Sequence, residues 1–403
     1  MYTTSLRQPS FFDADRLTLP GSIDLTIAAL QTYGERFDHW AIAYSGGKDS
    51  SATVTVVIDL IESGRVPTPK SLTVLYADTG MELPPLQFAA LRMLEEVRRR
   101  GYAGHVVKPP LDSRFLVYML GRGVPPPKNH FRWCTPQLKI EPMMAALRAL
   151  RESAGEKLLM LTGVRLGESA ARDQRIALSC SRDDAECGQG WFQQSTPAAV
   201  ADTLAPLLHW RVCHVWDWLM FEAPAKGFPT TLIAEVYGVD EAQESNARTG
   251  CVGCNLASKD TALDILIGQE QWAYLAPLKR LRPLWTELMK AGNRLRKDGS
   301  QRRQDGSIPM NPMRMGPLTM DARRLGLSAV LGMQDEINAV ALRSGRPEVA
   351  LLSEEERQRI EELIAVNTWP QGWDGSENRG DVLLPQVLED GAVQSILLGA
   401  MEG

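Results

Sequence analysis

An apolar run, Ala41-Ile42-Ala43-Tyr44, stops abruptly at Ser45-Gly46-Gly47-Lys48-Asp49-Ser50, and an aliphatic segment of helical character follows at once. A buried strand that turns through paired glycines straight into a helix is a unit of α/β architecture. The glycines let the backbone approach an anion closely and leave their N–H groups free, while the helix adds the positive end of its dipole. The hydroxyls of Ser45, Ser50 and Ser51 and the ammonium of Lys48 supply further donors. The segment therefore reads as a phosphate cradle, distinct from a Walker A loop, whose Gly-x-x-x-x-Gly-Lys-Ser/Thr order is absent.

The surrounding pattern extends the α/β reading. Strand candidates at Trp40–Tyr44, Ser71–Tyr76, His105–Val107 and Lys157–Thr162 alternate with helix candidates at Pro84–Arg100 and Gln137–Glu152, after an amphipathic helix around Ser22 to Tyr33. That alternation predicts a mostly parallel sheet with helices on both faces. Ligands of such sheets sit outside the carboxyl ends of the strands, where strand order reverses. Three loops are expected there: Ser45–Ser51, Ala77–Gly80 and Gly163–Arg165. Asp78 would orient a nucleotide or Mg²⁺, or simply form a turn before Thr79-Gly80. Beyond residue 200 the pattern turns helical and irregular. Lys290 to Met315 reads as a long loop, helices resume at Thr319–Asn338 and Ser353–Val366, and the tail is rich in Gly, Trp and Pro. The expected organisation is an N-terminal segment (1–35), a nucleotide-binding domain (36–235), a cysteine-containing and helical C-terminal region (236–366) and a tail (367–403).

A chain of 403 residues exceeds a usual single domain. No run approaches the roughly 20 apolar residues of a membrane span. The first residues lack the basic-then-apolar order of a signal peptide, so a cytoplasmic location and no membrane partner are expected. A net charge of −5 argues against coating nucleic acid through bulk charge but leaves room for a local basic patch. Six cysteines in such a chain point to metal or redox chemistry rather than a disulfide framework. Cys251-Val252-Gly253-Cys254 can turn two thiolates toward one centre, and Cys134 sits in a loop between basic residues. Tetrahedral thiolate ligation needs about four sulfurs, which zinc and a [4Fe–4S] cluster both satisfy. Cys187 is favoured over Cys180 as the fourth ligand, and Cys213 reads as a small buried hydrophobe.

Taken whole, Ser45–Ser50 resembles the PP-loop of the ATP-pyrophosphatase (adenine nucleotide alpha hydrolase-like) superfamily. Gly163-Val-Arg165-Leu-Gly-Glu168-Ser169-Ala-Ala-Arg172 is similar to the Gly-x-Arg-x-x-Glu-Ser-x-x-Arg element of its phosphoadenylyl-sulfate (PAPS) reductase-like branch. Pro206–Trp210 through Val215–Trp218 resembles the segment that follows the sheet in that branch. Arg132-Trp133-Cys134, Cys251–Cys254 and Gly316–Arg324 resemble elements of the DndC-like proteins of DNA phosphorothioation, including the SspD type. The similarity covers roughly residues 35 to 365. Two features depart from it: no cysteine lies between Leu256 and Leu263, and the last cysteine is Cys254, with none in a tail as in assimilatory PAPS reductases.

The resemblance implies an enzyme that converts ATP to AMP and pyrophosphate, activating a DNA backbone phosphate for sulfur incorporation. Ser45, Gly46, Gly47, Ser50 and Ser51 would cradle the pyrophosphate, with Gly163 and Asp78 at the nucleotide. Lys48 and Arg165 would offset charge in catalysis, and Asp49 would hold Mg²⁺ or fix the loop. A [4Fe–4S] cluster on Cys134, Cys187, Cys251 and Cys254 is implied as a cofactor, beside ATP and Mg²⁺. The implied partners are DNA, a cysteine desulfurase as sulfur donor and the other phosphorothioation subunits. DNA contact would fall to Arg294, Arg296, Lys297, Arg302 and Arg303, with Lys279, Arg280 and Arg282. The alternatives are a PAPS or adenylyl-sulfate reductase and a PP-loop tRNA thiolation enzyme.

Overall fold

The segment His39–Tyr44 forms β1, and its near-continuous apolar character follows from its place in the middle of a sheet covered on both faces. It pairs in parallel with β2 (Ser71–Ala77), with Ile42 opposite Val74, and on its other side with β4 (Leu158–Leu161), with Ile42 opposite Leu161. The six-stranded sheet runs β3-β2-β1-β4-β6-β5, where β3 is Ala103–Val107, β5 Trp191–Gln193 and β6 Ala201–Ala205. Of the strands flanking β4, β6 is parallel to it, and β5 closes the edge antiparallel to β6. Strand order therefore reverses between β1 and β4, which is where such a sheet opens a crevice.

The computed structural model describes residues 17–168, 170–181, 186, 190–194, 199–237, 250–257, 259–302, 305–307, 309–382, 386–387 and 392–394. The chain divides into two compact units, interleaved in sequence. One comprises the chain to Ala77, Pro85–Val106 and Ala145–Glu235; the other comprises Asp78–Pro84, Val107–Met144 and the chain from Val236 onward.

In the first unit, helix α1 (Leu19–Ala29) is capped by Thr18 and continues as a wider turn over Leu30–Gly34. Helix α2 (Lys48–Glu62) is buried from Ser50 to Ile61 at every position except Asp59. Its run of Val54, Thr55, Val56, Val57 and Ile58 has modest intrinsic helix preference, so burial under the sheet holds it helical. The hydroxyls of Thr53 and Thr55 donate back to the Asp49 and Ser51 carbonyls at 2.9 and 2.8 Å, which satisfies them inside the core. Helices α3 (Pro84–Arg99), α4 (Glu141–Ala154) and α5 (Ala170–Ser181) complete the alternation, followed by the short α6 (Val212–Asp217).

The second unit corrects two expectations. Lys290 to Met315 is not a single loop: Arg294–Arg296 forms β7, which pairs antiparallel with β8 (Met315–Leu318). Its other edge takes β9 (Asn378–Arg379), so the tail contributes a strand. The segment looked like a loop because it is rich in Arg, Gly, Pro and polar residues, yet two of its cations are held inside. Arg294 is 7% exposed and donates twice to the Gly316 carbonyl, at 2.9 and 2.7 Å. Lys297 is 4% exposed, bonds the Gly372 carbonyl and Glu377, and lies 4.3 Å from the Trp373 ring centre. The long helix Met320–Ser344 is capped by Thr319 and ends at Gly345 in the left-handed region. Its Arg323 is fully buried and donates to the carbonyls of Leu120, Gly121 and Thr368. Burial pushes that guanidinium down to about 10. Among the described residues no helix is long and apolar enough to cross a membrane.

Candidate functional site

The phosphate loop fills the turn from β1 to α2. Gly46 has φ +75°, and a Cβ there would stand 3.1 Å from the Ala90 Cβ, so the bend favours glycine on both counts. Gly47 is the N-cap of α2 and offers no side-chain cap. The first main-chain bond of the helix runs from Ser51 N–H to the Gly47 carbonyl at 2.9 Å. The amides of Gly47, Asp49 and Ser50 therefore have no intrahelical acceptor and present a cluster of donors at the positive helix end. This is an anion site built from main chain.

The side chains sort differently from the sequence-based expectation. Ser45 is exposed at the loop's edge. Ser50 ties the loop shut: its hydroxyl donates to the Gly47 carbonyl at 3.0 Å, accepts from the Ser45 amide at 3.3 Å and lies 3.1 Å from the Ser45 hydroxyl. Ser51 faces the core, with its hydroxyl donating to Tyr44 at 3.4 Å. Its expected place in the cradle is therefore corrected to a packing role.

Arg165 and Asp49 meet at this turn. Arg165 is 3% exposed; its Nε donates to Asp49 Oδ1 at 2.5 Å and its Nη1 to the Trp210 carbonyl at 3.1 Å. Lys48 Nζ lies 3.2 Å from Asp49 Oδ2. A carboxylate held between two cations is not a free base, so Asp49 fixes the loop and leaves a net positive charge beside the helix end. Gly163 explains how the loop after β4 reaches so near: a Cβ there would stand 2.8 Å from the backbone of Asp49 and Ser50.

Behind Arg165, the Trp210 indole donates to the Ser22 carbonyl and to Thr26 Oγ1 at 3.1 and 2.9 Å, and its ring packs edge-on against Trp218. Trp218 in turn donates to Thr55 on α2. The tryptophans that resembled a family segment are thus the posts that hold Arg165. Two buried polar atoms in loops leaving β4 and β6 have no hydrogen-bond partner, Thr162 Oγ1 and His209 Nε2. Orphaned buried groups are costly and are uncommon away from functional sites. Thr162 carried no motif in the sequence, and His209 lay inside the Pro206–Trp210 resemblance without a role of its own.

The second unit holds the cysteine centre. Asp78, which follows β2 in the chain, belongs here: it is 2% exposed, pairs with Lys108 at 3.1 Å and accepts from the Gly80 amide at 3.0 Å, the geometry of a turn-forming aspartate. Glu82 accepts from the Thr79 hydroxyl at 2.6 Å and amide at 3.1 Å, and burial raises its carboxyl above the usual range. The Val252 amide donates to the Met81 carbonyl at 2.6 Å, which ties this turn to the Cys251–Cys254 loop. Gly253, at φ +63°, has no room for a Cβ against Leu281.

Cys134, Cys251 and Cys254 are free thiols within one another's electrostatic reach. Burial pushes Cys134 up and Cys251 up to about 11, so both are neutral thiols at pH 7. Among the described residues no three His, Cys, Asp or Glu side chains converge to hold a metal ion. As arranged, the three thiols do not form a ligand set, and no chemical step is routed through a cluster. Cys187 and the Cys180 side chain lie outside the described residues. Cys213, on α6, is partly rather than fully buried.

The cations expected to meet DNA are largely engaged. Besides Arg294 and Lys297, Lys279 pairs with Asp264, Arg280 with Glu336, and Arg282 donates to the Ala257 carbonyl at 2.6 Å. Arg296 and Arg302 bond nearby carbonyls, and Arg303 lies outside the described residues. A cavity of about 560 Å³ is lined by Lys259, Asp264, Lys279, Arg282, Glu287 and Lys290, and its charges are mostly internally paired.

The sheet, the glycine bend at its switch point and the open helix end together define an α/β domain of PP-loop-like fold with a main-chain anion site. More particularly, residues 39–223 match the phosphoadenosine phosphosulfate reductase domain family. An uncharacterised protein of Methanocaldococcus jannaschii is 26% identical over 181 residues, 45% of this chain and 31% of that protein. A second from the same organism is 25% identical over 182 residues, 44% of this chain and 34% of that protein. The match spans about a third of the length of these curated relatives. Among solved structures, PAPS reductase from Candida auris is similar at 14% identity and TM-score 0.33, covering 49% of this chain and 79% of that one. The U34-tRNA thiolase NcsA from Methanococcus maripaludis with its [4Fe-4S] cluster is similar at 13% identity and TM-score 0.33, covering 68% and 83%.

Proposed function

We propose that this chain is an ATP pyrophosphatase that adenylates a nucleic-acid phosphate, with DNA phosphorothioation as the process it serves. The observation that carries the reading is the uncapped start of α2. Its free amides sit at the β1/β4 switch point beside Lys48 and the Arg165–Asp49 pair, with net positive charge. Such a site suits the β and γ phosphates of ATP, with Mg²⁺ carried on the phosphates themselves, because Asp49 is committed to two cations. The orphaned Thr162 and His209 supply polar groups that a bound nucleotide would satisfy.

In the proposed reaction a non-bridging oxygen of the acceptor phosphate attacks the α phosphorus. The bond from that phosphorus to the α–β bridging oxygen breaks, and pyrophosphate leaves with the electron pair. Main-chain amides at Gly47, Asp49 and Ser50 and the Lys48 ammonium offset the charge that develops there. The acceptor then carries AMP, a far better leaving group than oxide. A sulfide-level nucleophile, supplied by a cysteine desulfurase and a thiol reductant, displaces AMP and leaves sulfur on phosphorus. The other phosphorothioation subunits would present the DNA. No step of this scheme is routed through a cluster, because the three described thiols do not form a ligand set; iron and acid-labile sulfide analysis after anaerobic purification tests for one separately.

The deciding experiment quantifies AMP, pyrophosphate, ADP and orthophosphate from ATP, with and without DNA. AMP and pyrophosphate in equal amounts, lost in Lys48→Ala, are expected. ADP and orthophosphate as the sole products would overturn the reading, and sulfite release from a sulfonucleotide would replace it with a reductase.

A further inference from the structure

Between Asp112 and Glu141 the chain carries no carboxylate, yet it carries Arg114, Arg122, Lys128, Arg132, Lys139 and His130. In a chain of net charge −5 this is a marked local excess. Two of the cations work inside the fold: Arg114 pairs with Glu355 at 2.8 Å, and Arg122 lies over the Tyr118 ring at 5.3 Å. Lys128, His130 and Arg132 are exposed, and none of them forms an ion pair among the described residues.

Phe131 stands among them. Lys128 and Phe131 exchange two main-chain hydrogen bonds, at 3.2 and 2.8 Å, which closes a tight turn and leaves the phenyl ring 48% exposed. The turn is anchored from beneath. Trp133 is 9% exposed, stacks on Phe115 at 5.3 Å, and donates its indole N–H to the Pro125 carbonyl at 3.1 Å. Asn255 holds the Pro127 carbonyl at 2.7 Å, so the turn is also fastened to the loop that carries Cys251 and Cys254. The Arg132 guanidinium donates to Asn129 Oδ1 at 3.0 Å, which ties it back to the turn.

A rigidly mounted aromatic ring that stays in water between unneutralised cations is poorly explained by packing. It matches the demand of a polymer that offers a flat π-face and a phosphate at each step. We propose that the Lys128–Arg132 turn is a nucleic-acid contact, in which Phe131 stacks on an unpaired base while Lys128 and Arg132 hold the flanking phosphates. The proposal rests on the adenylation reading for its acceptor class, and it moves the contact away from Arg294, Arg296, Lys297 and Arg302, whose charges are engaged.

The test is fluorescence anisotropy of the full chain with a labelled single-stranded oligonucleotide, without ATP, across a salt series. Phe131→Ala is expected to weaken binding about tenfold, the range of one base stack, and Phe131→Trp to restore it. Lys128→Glu with Arg132→Glu should lower the slope of log affinity against log salt by about 1.4, at about 0.7 per phosphate for a single strand. Pyrophosphate release from ATP alone should be unchanged in Phe131→Ala, whose thermal melt confirms folding. If Phe131→Ala binds within twofold of wild type and the salt slope does not move, the contact is elsewhere and the proposal fails. Binding of an acidic peptide in preference to the oligonucleotide also overturns it, in favour of a protein partner. Intact oligonucleotide binding with no AMP formed would sink the adenylation reading and leave this contact standing.

Discussion

Arg165 Nε and Asp49 Oδ1 lie 2.5 Å apart, joining the loop after β4 to the first turn of α2 across the point where strand order reverses. The arginine is 3% exposed and the aspartate side chain 16%, so neither charge is well solvated if its partner is removed. Removing one partner of a buried pair costs about 3–5 kcal/mol, and the partial exposure of Asp49 places this one at about 3 kcal/mol. Asp49→Asn is expected to lower the urea midpoint accordingly and to reduce pyrophosphate release at least tenfold. A double-mutant cycle with Arg165→Lys should return a coupling of about 1–3 kcal/mol. Additive effects would show that the two side chains act independently.

Gly163 is the steric condition for that meeting. A Cβ at this position would press on the Asp49 and Ser50 backbone at 2.8 Å, and backbone cannot step aside as a flexible side chain would. Gly163→Ala should cost about 1–3 kcal/mol in stability. Its larger effect should be on the ATP KM, because the displaced amides are those that face the phosphates. Steady-state kinetics and a thermal melt on the same sample separate the two effects. A changed melt with an unchanged KM would remove the loop after β4 from the site.

His214 makes the first unit sensitive to acid. Its Nδ1 lies 2.9 Å from Ser22 Oγ and accepts from the Arg211 amide at 3.3 Å, so the ring is neutral with its proton on Nε2. Burial pushes its pKa below the usual imidazole value, with Arg211 adding to the effect. A folded-state pKa below the unfolded one means that the unfolded chain binds the extra proton. Stability from this group is therefore complete above about pH 6.5 and lost as pH falls through the folded value. Urea midpoints should fall between about pH 7.5 and pH 5, with a shallower fall in His214→Gln. Identical slopes in both proteins would exclude His214 as the source.

The sheet and the phosphate turn were legible because their signals are local. Ala41–Tyr44 could only be a buried strand, and paired glycines before an aliphatic helix announce an anion-binding turn. The roles within the turn were less legible. Nothing in Ser-Gly-Gly-Lys-Asp-Ser says that Ser50 closes the loop or that Ser51 faces Tyr44, since helical phase decides both. Asp78 read either as a nucleotide or Mg²⁺ residue or as a turn-forming aspartate, and its carboxylate makes the turn, pairing with Lys108 and accepting from the Gly80 amide. Arg294 and Lys297 were misread because cations normally signal solvent, and the carbonyls and tryptophan that receive them lie 22 to 76 residues away. Phe131 went unnoticed for the opposite reason: an aromatic residue normally signals core, and only the Lys128–Phe131 bridge shows that the ring is held outside.

The Cys251 thiol, pushed up to about 11 by burial, should be a poor nucleophile in metal-free protein. The thiolate is the reactive form, so alkylation at this cysteine is expected to rise about tenfold per pH unit from pH 7 toward 10. Mass spectrometry of the peptide carrying Cys251 after timed exposure to iodoacetamide measures this directly. A rate already at its plateau at pH 7 would mean that the thiolate is stabilised, as a bound metal would do.

Lys297 offers the sharpest separation between a cation that builds the fold and one that meets a ligand. Its ammonium contacts Glu377, the Gly372 carbonyl and the face of Trp373, and so joins the β7 strand end to the segment after residue 368. Lys297→Met keeps the stem but leaves the Glu377 carboxylate without its partner at 12% exposure, a loss of about 3 kcal/mol. Adding Glu377→Gln removes the stranded charge and should recover part of that loss, since a buried pair replaced as a whole is far less costly than one half-removed. Neither change should alter the salt slope of oligonucleotide binding in protein that remains folded, because no phosphate can reach an ammonium already enclosed on these sides. A slope that falls by about 0.7 in the double variant would mean that Lys297 leaves its pocket to meet the polymer. The cationic strand would then have to be returned to the nucleic-acid surface.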